Sequence, residues 1–460
     1  MKDLRTGPRR TGRRVLTAAL AGCALAVAGT GPAHAVSDQL WISAPYETVL
    51  PGADADGGAR ERTLSVQVTH DNTGNGVPAG LLTVDVSGIA SFAQVIWPAG
   101  CVPESAVRAD CSFPEMPAGT WSVPAAELGL RALPGADLDA SGYVRYTATA
   151  GELTAHGTET LVTLGNGPDL VLGQAEHQRD LTPGTGTSVR TTVSNHGNRT
   201  AERTLLRVDA SYGLRFGERH SNCEYRQHET GTTALCVLDE AVAPGQRYAL
   251  GTGLRVRRKA LYERFDHSVQ PYSDEALEAA RGGATFTPGT GRELDLRPVA
   301  ALRAEEPDLD PSDNYRTVIL DARNTADLKL TGSRVRGAAG DTVTAGITVH
   351  NRGPAWVASL GAGASVATVR FRAPEGTTVV GLPEECWRVP EDSPAPTYYC
   401  GTRTYLHDKA SQAFGLRLRI DRVVPGARAD VTTVDDDPEL PIRRFDPNLR
   451  NNRAAIVVNG

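Results

Sequence analysis

Six of the seven cysteines fall into three short pairs, Cys101/Cys111, Cys223/Cys236 and Cys386/Cys400, and each pair occupies the same place in a repeated strand pattern. Every copy opens with an alternating run that leads into Asn-x-Gly: Val66-Gln67-Val68 before Asn72-Thr73-Gly74, Thr192-Val193 before Asn195-His196-Gly197, and Ile347-Thr348-Val349 before Asn351-Arg352-Gly353. Asn tolerates left-handed backbone and Gly adopts it freely, so this tripeptide is expected to end a strand in a turn. A second alternating run follows at 82–86, 206–210 and 368–372, and the cysteine pair comes next, separated by polar, turn-rich residues. Beyond the second cysteine each copy carries Gly-Leu-Arg, at Gly129-Leu130-Arg131, Gly253-Leu254-Arg255 and Gly415-Leu416-Arg417. Four landmarks in one order, three times over, define a repeat.

The period is far longer than the 20–50 residues of solenoids and propellers, and each copy is large enough to bury its own core. Short strands rich in Val, Thr and Leu, separated by Gly, Pro, Asn and Asp, predict an all-β chain of sandwich units. The pattern restarts at Gly165-Asn166-Gly167-Pro168 and again at Asn324-Thr325-Ala326, giving units at 36–166, 167–323 and 324–460. Linkers this short predict a semi-rigid array. The second unit carries an insertion near 257–298, in which residues 273–281 read as a short helix with Ser273 as N-cap and Gly282 beyond its end. Its Tyr262, Phe265, His267 and Tyr272 form a candidate contact patch, with packing onto their own unit as the alternative.

Residues 1–35 read as a secretion signal. Six basic residues precede an apolar stretch, and Ala33-His34-Ala35 supplies an A-x-A cleavage site. Leu20-Ala21-Gly22-Cys23 also matches a lipobox, so a lipoprotein anchored through Cys23 is the alternative, and Arg13-Arg14 leaves twin-arginine export open. No later segment is apolar enough to span a bilayer as a helix. In an oxidising compartment the six local cysteines are expected to form three disulfides, each closing a loop of ten to fifteen residues. Trp97 and Trp387 lie close to the first cysteine of their units and are expected to cover the bridges. Without residues 1–35 the chain holds 42 basic against 53 acidic residues, a balance that argues against nucleic acid as a partner.

The Val-x-Val…Asn-x-Gly opening, the cysteine hairpin, the Pro244-Gly245 turn and the closing Asn-rich strand resemble the immunoglobulin-like repeats of bacterial secreted and cell-surface proteins, including the CARDB type (cell-adhesion-related domain in bacteria) and similar actinobacterial repeats. The third unit carries the resemblance furthest, closing with Asp446-Pro447 and Asn451-Asn452-Arg453-Ala454-Ala455-Ile456-Val457-Val458. The second closes comparably through Asp310-Pro311 and Asn314-Tyr315-Arg316-Thr317-Val318-Ile319. The resemblance implies three tandem immunoglobulin-like β-sandwich domains, each with a local disulfide, and an extracellular or surface role. It carries over no catalytic residue. A chain stopping at Asn459-Gly460 lacks the sortase tail of many such proteins, so that mode of anchoring is not expected.

Two acidic clusters precede the last strands of the second and third units. Asp308 and Asp310 belong to the first cluster and Asp435, Asp437 and Asp446 to the second. Solvated acidic turns are the favoured reading, with calcium, bound by hard oxygen ligands and stiffening the array, as the alternative cofactor. Neither Gly-x-Ser-x-Gly nor His-Glu-x-x-His occurs, and the histidines are scattered, so the chain is not expected to be an enzyme. Three functions follow in order of preference. The first is a non-enzymatic adhesive or spacer module of the cell envelope or extracellular space, with an envelope protein or polysaccharide as partner. The second is carbohydrate or matrix binding, which solvent-exposed, coplanar Trp and Tyr would favour. The third is an enzyme with a dispersed triad.

Overall fold

The computed structural model describes residues 38–52, 61–71, 74–299, 314–389, 396–435 and 440–460. The expected leader with Cys23, and Asp308, Asp310 and Asp437, lie outside these described residues.

Strict alternation builds each sheet. Thr342–Asn351 turns Ala345, Ile347, Val349 and Asn351 inward, and Ser411–Ile420 turns Phe414, Leu416, Leu418 and Ile420 inward to meet them. A period of two places all the inward side chains of such a strand on one face. In the second unit, Leu170–Leu172, Gly186–Asn195, Arg247–Val256 and Leu214–Phe216 form one sheet in that order. Gln178–Leu181, Tyr315–Ala322, Tyr262–Pro271, Thr204–Ser211, Gly231–Leu238 and Cys223–His228 form the other. The pairing is antiparallel, except that Gln178–Leu181 runs parallel to Tyr315–Ala322.

The opening segment thus crosses from one sheet to the other. The first unit repeats this with Glu47–Pro51 parallel to Thr158–Gly165, and the third with Arg334–Val335 parallel to Arg453–Val458. This is the strand order of an immunoglobulin sandwich. The chain comprises three tandem immunoglobulin-like β-sandwich domains, each with its own buried cluster between the sheets.

All three expected bridges form: Cys101–Cys111, Cys223–Cys236 and Cys386–Cys400. In each, the two residues lie directly opposite on neighbouring strands, with Cα atoms 3.9, 3.9 and 4.0 Å apart. The bridge therefore staples a hairpin at one side of one sheet, whereas the antibody-type bridge joins the two sheets. Cys111 on Arg108–Phe113, Cys236 on Gly231–Leu238 and Cys400 on Thr397–Gly401 all turn into the core of their own domain, and their partners Cys101, Cys223 and Cys386 are buried with them. The six cysteines are therefore structural, and none of them contributes to a surface that could bind or react.

In the second and third domains the Asn-x-Gly tripeptides end strands, but for a different reason from the one expected. Neither Gly197 nor Gly353 adopts positive φ. Both are pressed against the segment entering their own domain: a Cβ on Gly197 would stand 2.2 Å from the Gly167 carbonyl oxygen, and one on Gly353 would stand 2.3 Å from the Ala326 Cα. Asn195 and Asn351 are buried plugs. Asn195 Nδ2 donates to the Arg199 and Val242 carbonyls, and its Oδ1 accepts from Gly197 N and Asp169 N. Asn351 donates to the Ala355 and Leu406 carbonyls and accepts from Gly353 N. In the first domain the equivalent position is held by His70, not Asn72, because Leu40 pairs with His70 as Leu170 pairs with Asn195 and Leu328 with Asn351.

The insertion of the second domain is shorter than expected. Residues 262–271 form a central strand, Tyr262–Pro271, on which Phe265 and His267 point into the core, so they cannot serve as a contact patch. The departure from the repeat begins after Pro271. Its helix, Asp274–Arg281, is capped as the sequence dictates: the Ser273 side chain accepts from Ala276 N, and Gly282 takes a left-handed φ of 55°.

Candidate functional site

The three domains share one backbone plan, so function is sought where their surfaces differ. One row of residues running across the outer face of the hairpin-bearing sheet, one pleat beyond the first cysteine, is informative. In the first domain this row reads Val102, Asp110, Thr83, Thr147. In the second it reads Glu224, Leu235, Arg207, Ser268, Tyr315. In the third it reads Trp387, Tyr399, Arg370, Thr432, Arg453. The rows are in register because Asp110, Leu235 and Tyr399 each precede the second cysteine of their pair, Cys111, Cys236 and Cys400.

The first row holds no aromatic ring, and Thr83 Oγ1 donates to Asp110 Oδ1 at 2.6 Å. The second is covered at its hairpin end, whereas Arg207 and Tyr315 farther along it are exposed. The Arg281 guanidinium at the end of the inserted helix forks onto both oxygens of Glu224 at 2.6 and 2.7 Å, and Thr287–Pro288 pairs with the hairpin's outer strand. Leu235 is buried although it points away from the core.

The third row is open. Trp387 is 47% exposed, and its ring lies parallel to that of Tyr399 within 16°, with centroids 6.0 Å apart. The indole reaches over Gly401, with Cζ3 3.6 Å from where a side chain at that position would begin. Trp387 therefore does not cover its disulfide. Successive strand residues point to opposite faces, so the inward turn of Cys386 forces Trp387 outward. Trp97, four residues before its cysteine and outside a strand, packs against the core of its domain.

Next to Tyr399, the exposed Arg370 guanidinium makes no ion pair or hydrogen bond among the described residues. Arg372 Nε donates to Thr397 Oγ1 at 3.3 Å, and Arg428 pairs with Asp430 at 3.0 Å. Together these side chains floor a shallow depression of about 520 Å³.

The acidic cluster of the third domain is placed differently. Asp446 is buried and accepts from Leu328 N, Asn448 N and Asn452 Nδ2, tying the last strand's approach to the first strand. Asp435 accepts from Ile442 N and pairs with Arg443. Among the described residues, no group of three or more His, Cys, Asp and Glu side chains converges as metal ligands would. A Thr–His–acid gathering does occur at Thr233, His228 and Asp209. There the Thr233 hydroxyl donates to Asp209 Oδ1 and stands 3.4 Å from His228 Nε2, so its proton is directed to the carboxylate rather than to a base.

Sequence reasoning named exposed, coplanar Trp and Tyr as the mark of glycan binding; the pair found is parallel and stacked across two strands, and its members were out of reach because Tyr399 meets Trp387 only through hairpin register. The one available signal was parity: each ring is one residue from a cysteine that faces inward.

The chain matches no protein-family model, and no curated protein matches it. Among solved structures it is similar to the Dpr2 Ig1-Ig2 complex with DIP-Theta Ig1-Ig3, at 7% identity over 92% of this chain and 99% of that one, with a TM-score of 0.23. It is also similar to FdeC, an Escherichia coli adhesin, at 10% identity over 92% and 97%, with a TM-score of 0.20. Escherichia coli alpha-2-macroglobulin is similar at 12% identity over 73% and 19%, with a TM-score of 0.21. Superpositions this loose carry no functional argument, and the fold rests on the chain's own strand order. No described helix is long and apolar enough to cross a membrane.

Proposed function

We propose that the chain is a secreted, non-enzymatic module of the cell envelope or extracellular space, of the CARDB-like kind, that adheres to a polysaccharide through the outer face of its third domain. The first two domains act as a spacer. The observation that carries this reading is the open Trp387–Tyr399 pair at the hairpin end of a row that holds no aromatic ring in the first domain and whose hairpin end is covered in the second. Large aromatic surface left in water on a rigid sheet is costly unless a partner uses it, and Trp and Tyr dominate recognition energetics.

The test is co-sedimentation of residues 36–460 with the producer's cell-wall fraction, with and without calcium. Trp387→Ala and Tyr399→Ala are each expected to weaken binding about tenfold or more, the loss typical of a recognition hot spot. Calcium is expected to leave binding unchanged. Wild-type retention by both variants sinks the assignment of the face, and calcium-dependent retention points to the acidic clusters instead.

A further inference from the structure

The third-domain row is more than an aromatic platform. Read outward from the hairpin edge it runs ring, ring, cation, hydroxyl, cation: Trp387, Tyr399, Arg370, Thr432, Arg453. Neighbouring strands lie about 4.8 Å apart, so the row spans roughly 19 Å in a line perpendicular to the strands. That is the footprint of an extended oligomer rather than of one small molecule. Arg370 and Arg453 are both exposed and make no ion pair or hydrogen bond among the described residues. Asp430, the carboxylate that lines the depression beside the row, lies in the neighbouring row and already pairs with Arg428. The row therefore offers two unsatisfied guanidinium forks in line with two rings.

We propose that this face binds a carboxylate-bearing pyranose polysaccharide, a hexuronate polymer. Sugar-ring faces rest on Trp387 and Tyr399, and a carboxylate is taken by the Arg370 fork. The inference rests on the adhesive reading above and names its ligand class. Two independent requirements select it. The rings need a ligand with an apolar ring face, which a polyol phosphate chain lacks. The guanidinium groups need a planar anion that accepts two parallel N–H donors, which a neutral glucan lacks. A flexible acidic peptide would supply the anion but no repeating ring face at this spacing.

The experiment uses residues 36–460 with polygalacturonate as the probe, and dextran and polyphosphate as comparators. Polygalacturonate is expected to bind at least tenfold tighter than either, and more weakly as salt rises. Arg370→Gln is expected to lower that affinity about tenfold, and Trp387→Ala by a similar factor. Arg370→Lys should fall between, since it keeps the charge and loses the fork. Both positions are exposed, so unchanged thermal unfolding of the variants confirms that the fold is intact.

Equal binding of dextran and polygalacturonate, with Arg370→Gln silent and Trp387→Ala harmful, overturns the anionic ligand and leaves the adhesive face standing. Polyphosphate bound as tightly as polygalacturonate, with Trp387→Ala silent, shows charge attraction alone and overturns the stacking. Wall binding that is indifferent to Trp387→Ala and Tyr399→Ala removes the face itself, and this inference with it.

Discussion

At the scale of single residues, His267 shows how a core can hold a titratable group at a cost. Its imidazole is buried on the central strand of the second domain, and neither ring nitrogen has a hydrogen-bond partner among the described residues. Burial disfavours the imidazolium and, with Arg316 nearby, outweighs the pull of Asp266, lowering the pKa from 6.5 to about 4. The folded state therefore refuses a proton that the unfolded chain accepts. Stability is complete above pH 6.5 and is lost as pH falls through the window from 6.5 to about 4. The full loss from this one group is about 3 kcal/mol. His267→Leu removes both the unsatisfied nitrogens and the titration. It is expected to raise stability at neutral pH by about 1 kcal/mol or more and to flatten the decline in that window. Urea midpoints for both proteins between pH 4 and 7 check this, and parallel curves would show that His267 is not the group responsible.

At the scale of elements, the disulfide hairpins lie at the side of each sheet, where strands fray most readily. The third closes a loop with 14 residues of sequence separation. Replacing Cys386 and Cys400 by Ala is expected to destabilise the third domain by about 3 kcal/mol in the chain-entropy model. The same change should also weaken glycan binding, because hairpin register is what sets Trp387 beside Tyr399. Unfolding and binding measured together decide it, and a destabilised variant with full affinity would detach the site from the hairpin.

These hairpins were legible in the sequence because cysteine pairing marks them without reference to neighbours: Cys101 with Cys111, Cys223 with Cys236 and Cys386 with Cys400 needed only their spacing. The other landmarks drifted. Asn72 stands two residues beyond His70, the true counterpart of Asn195 and Asn351. Leu254 pairs eight residues before its Asn, and Leu416 pairs six before its own. A slip of two keeps every side chain on its proper face, so alternation alone cannot detect it, whereas a slip of one would invert the core. The binding face was illegible for a related reason. It is assembled across five strands, and only register brings Trp387, Tyr399, Arg370, Thr432 and Arg453 into line.

At the scale of the whole molecule, the two junctions between domains are built differently. Described contacts between the first and second domains are polar: Asn198 Nδ2 donates to the Gly52 carbonyl at 2.9 Å, and Arg62 lies 3.9 Å from Asp169. Between the second and third, the fully buried Glu263 carboxylate accepts from Ser211 Oγ, Gly213 N and Leu261 N of its own domain and from Trp356 Nε1 of the next, the last at 2.7 Å. Burial raises the Glu263 pKa and these four donors oppose it. Around them Tyr212 packs against Trp356 and His407, with ring centroids 5.2 and 4.4 Å apart, and Lys259 pairs with Asp408 at 2.8 Å. Relative motion is the default between domains unless the interface is apolar and well packed, so the second junction is expected to be stiff and the first looser. Trp356→Phe keeps an aromatic ring and removes the N–H, leaving a buried carboxylate one donor short at a cost of about 1–3 kcal/mol. Pairs of spin labels placed across each junction report the distances. The wild-type distribution is expected to be narrow across the second junction and broad across the first, and Trp356→Phe should broaden the former toward the latter. Equal breadth across both junctions in the wild type would show that the Glu263–Trp356 contact does not hold the third domain in place. The binding face would then be carried on a flexible tether instead of being presented at a fixed angle to the rest of the chain.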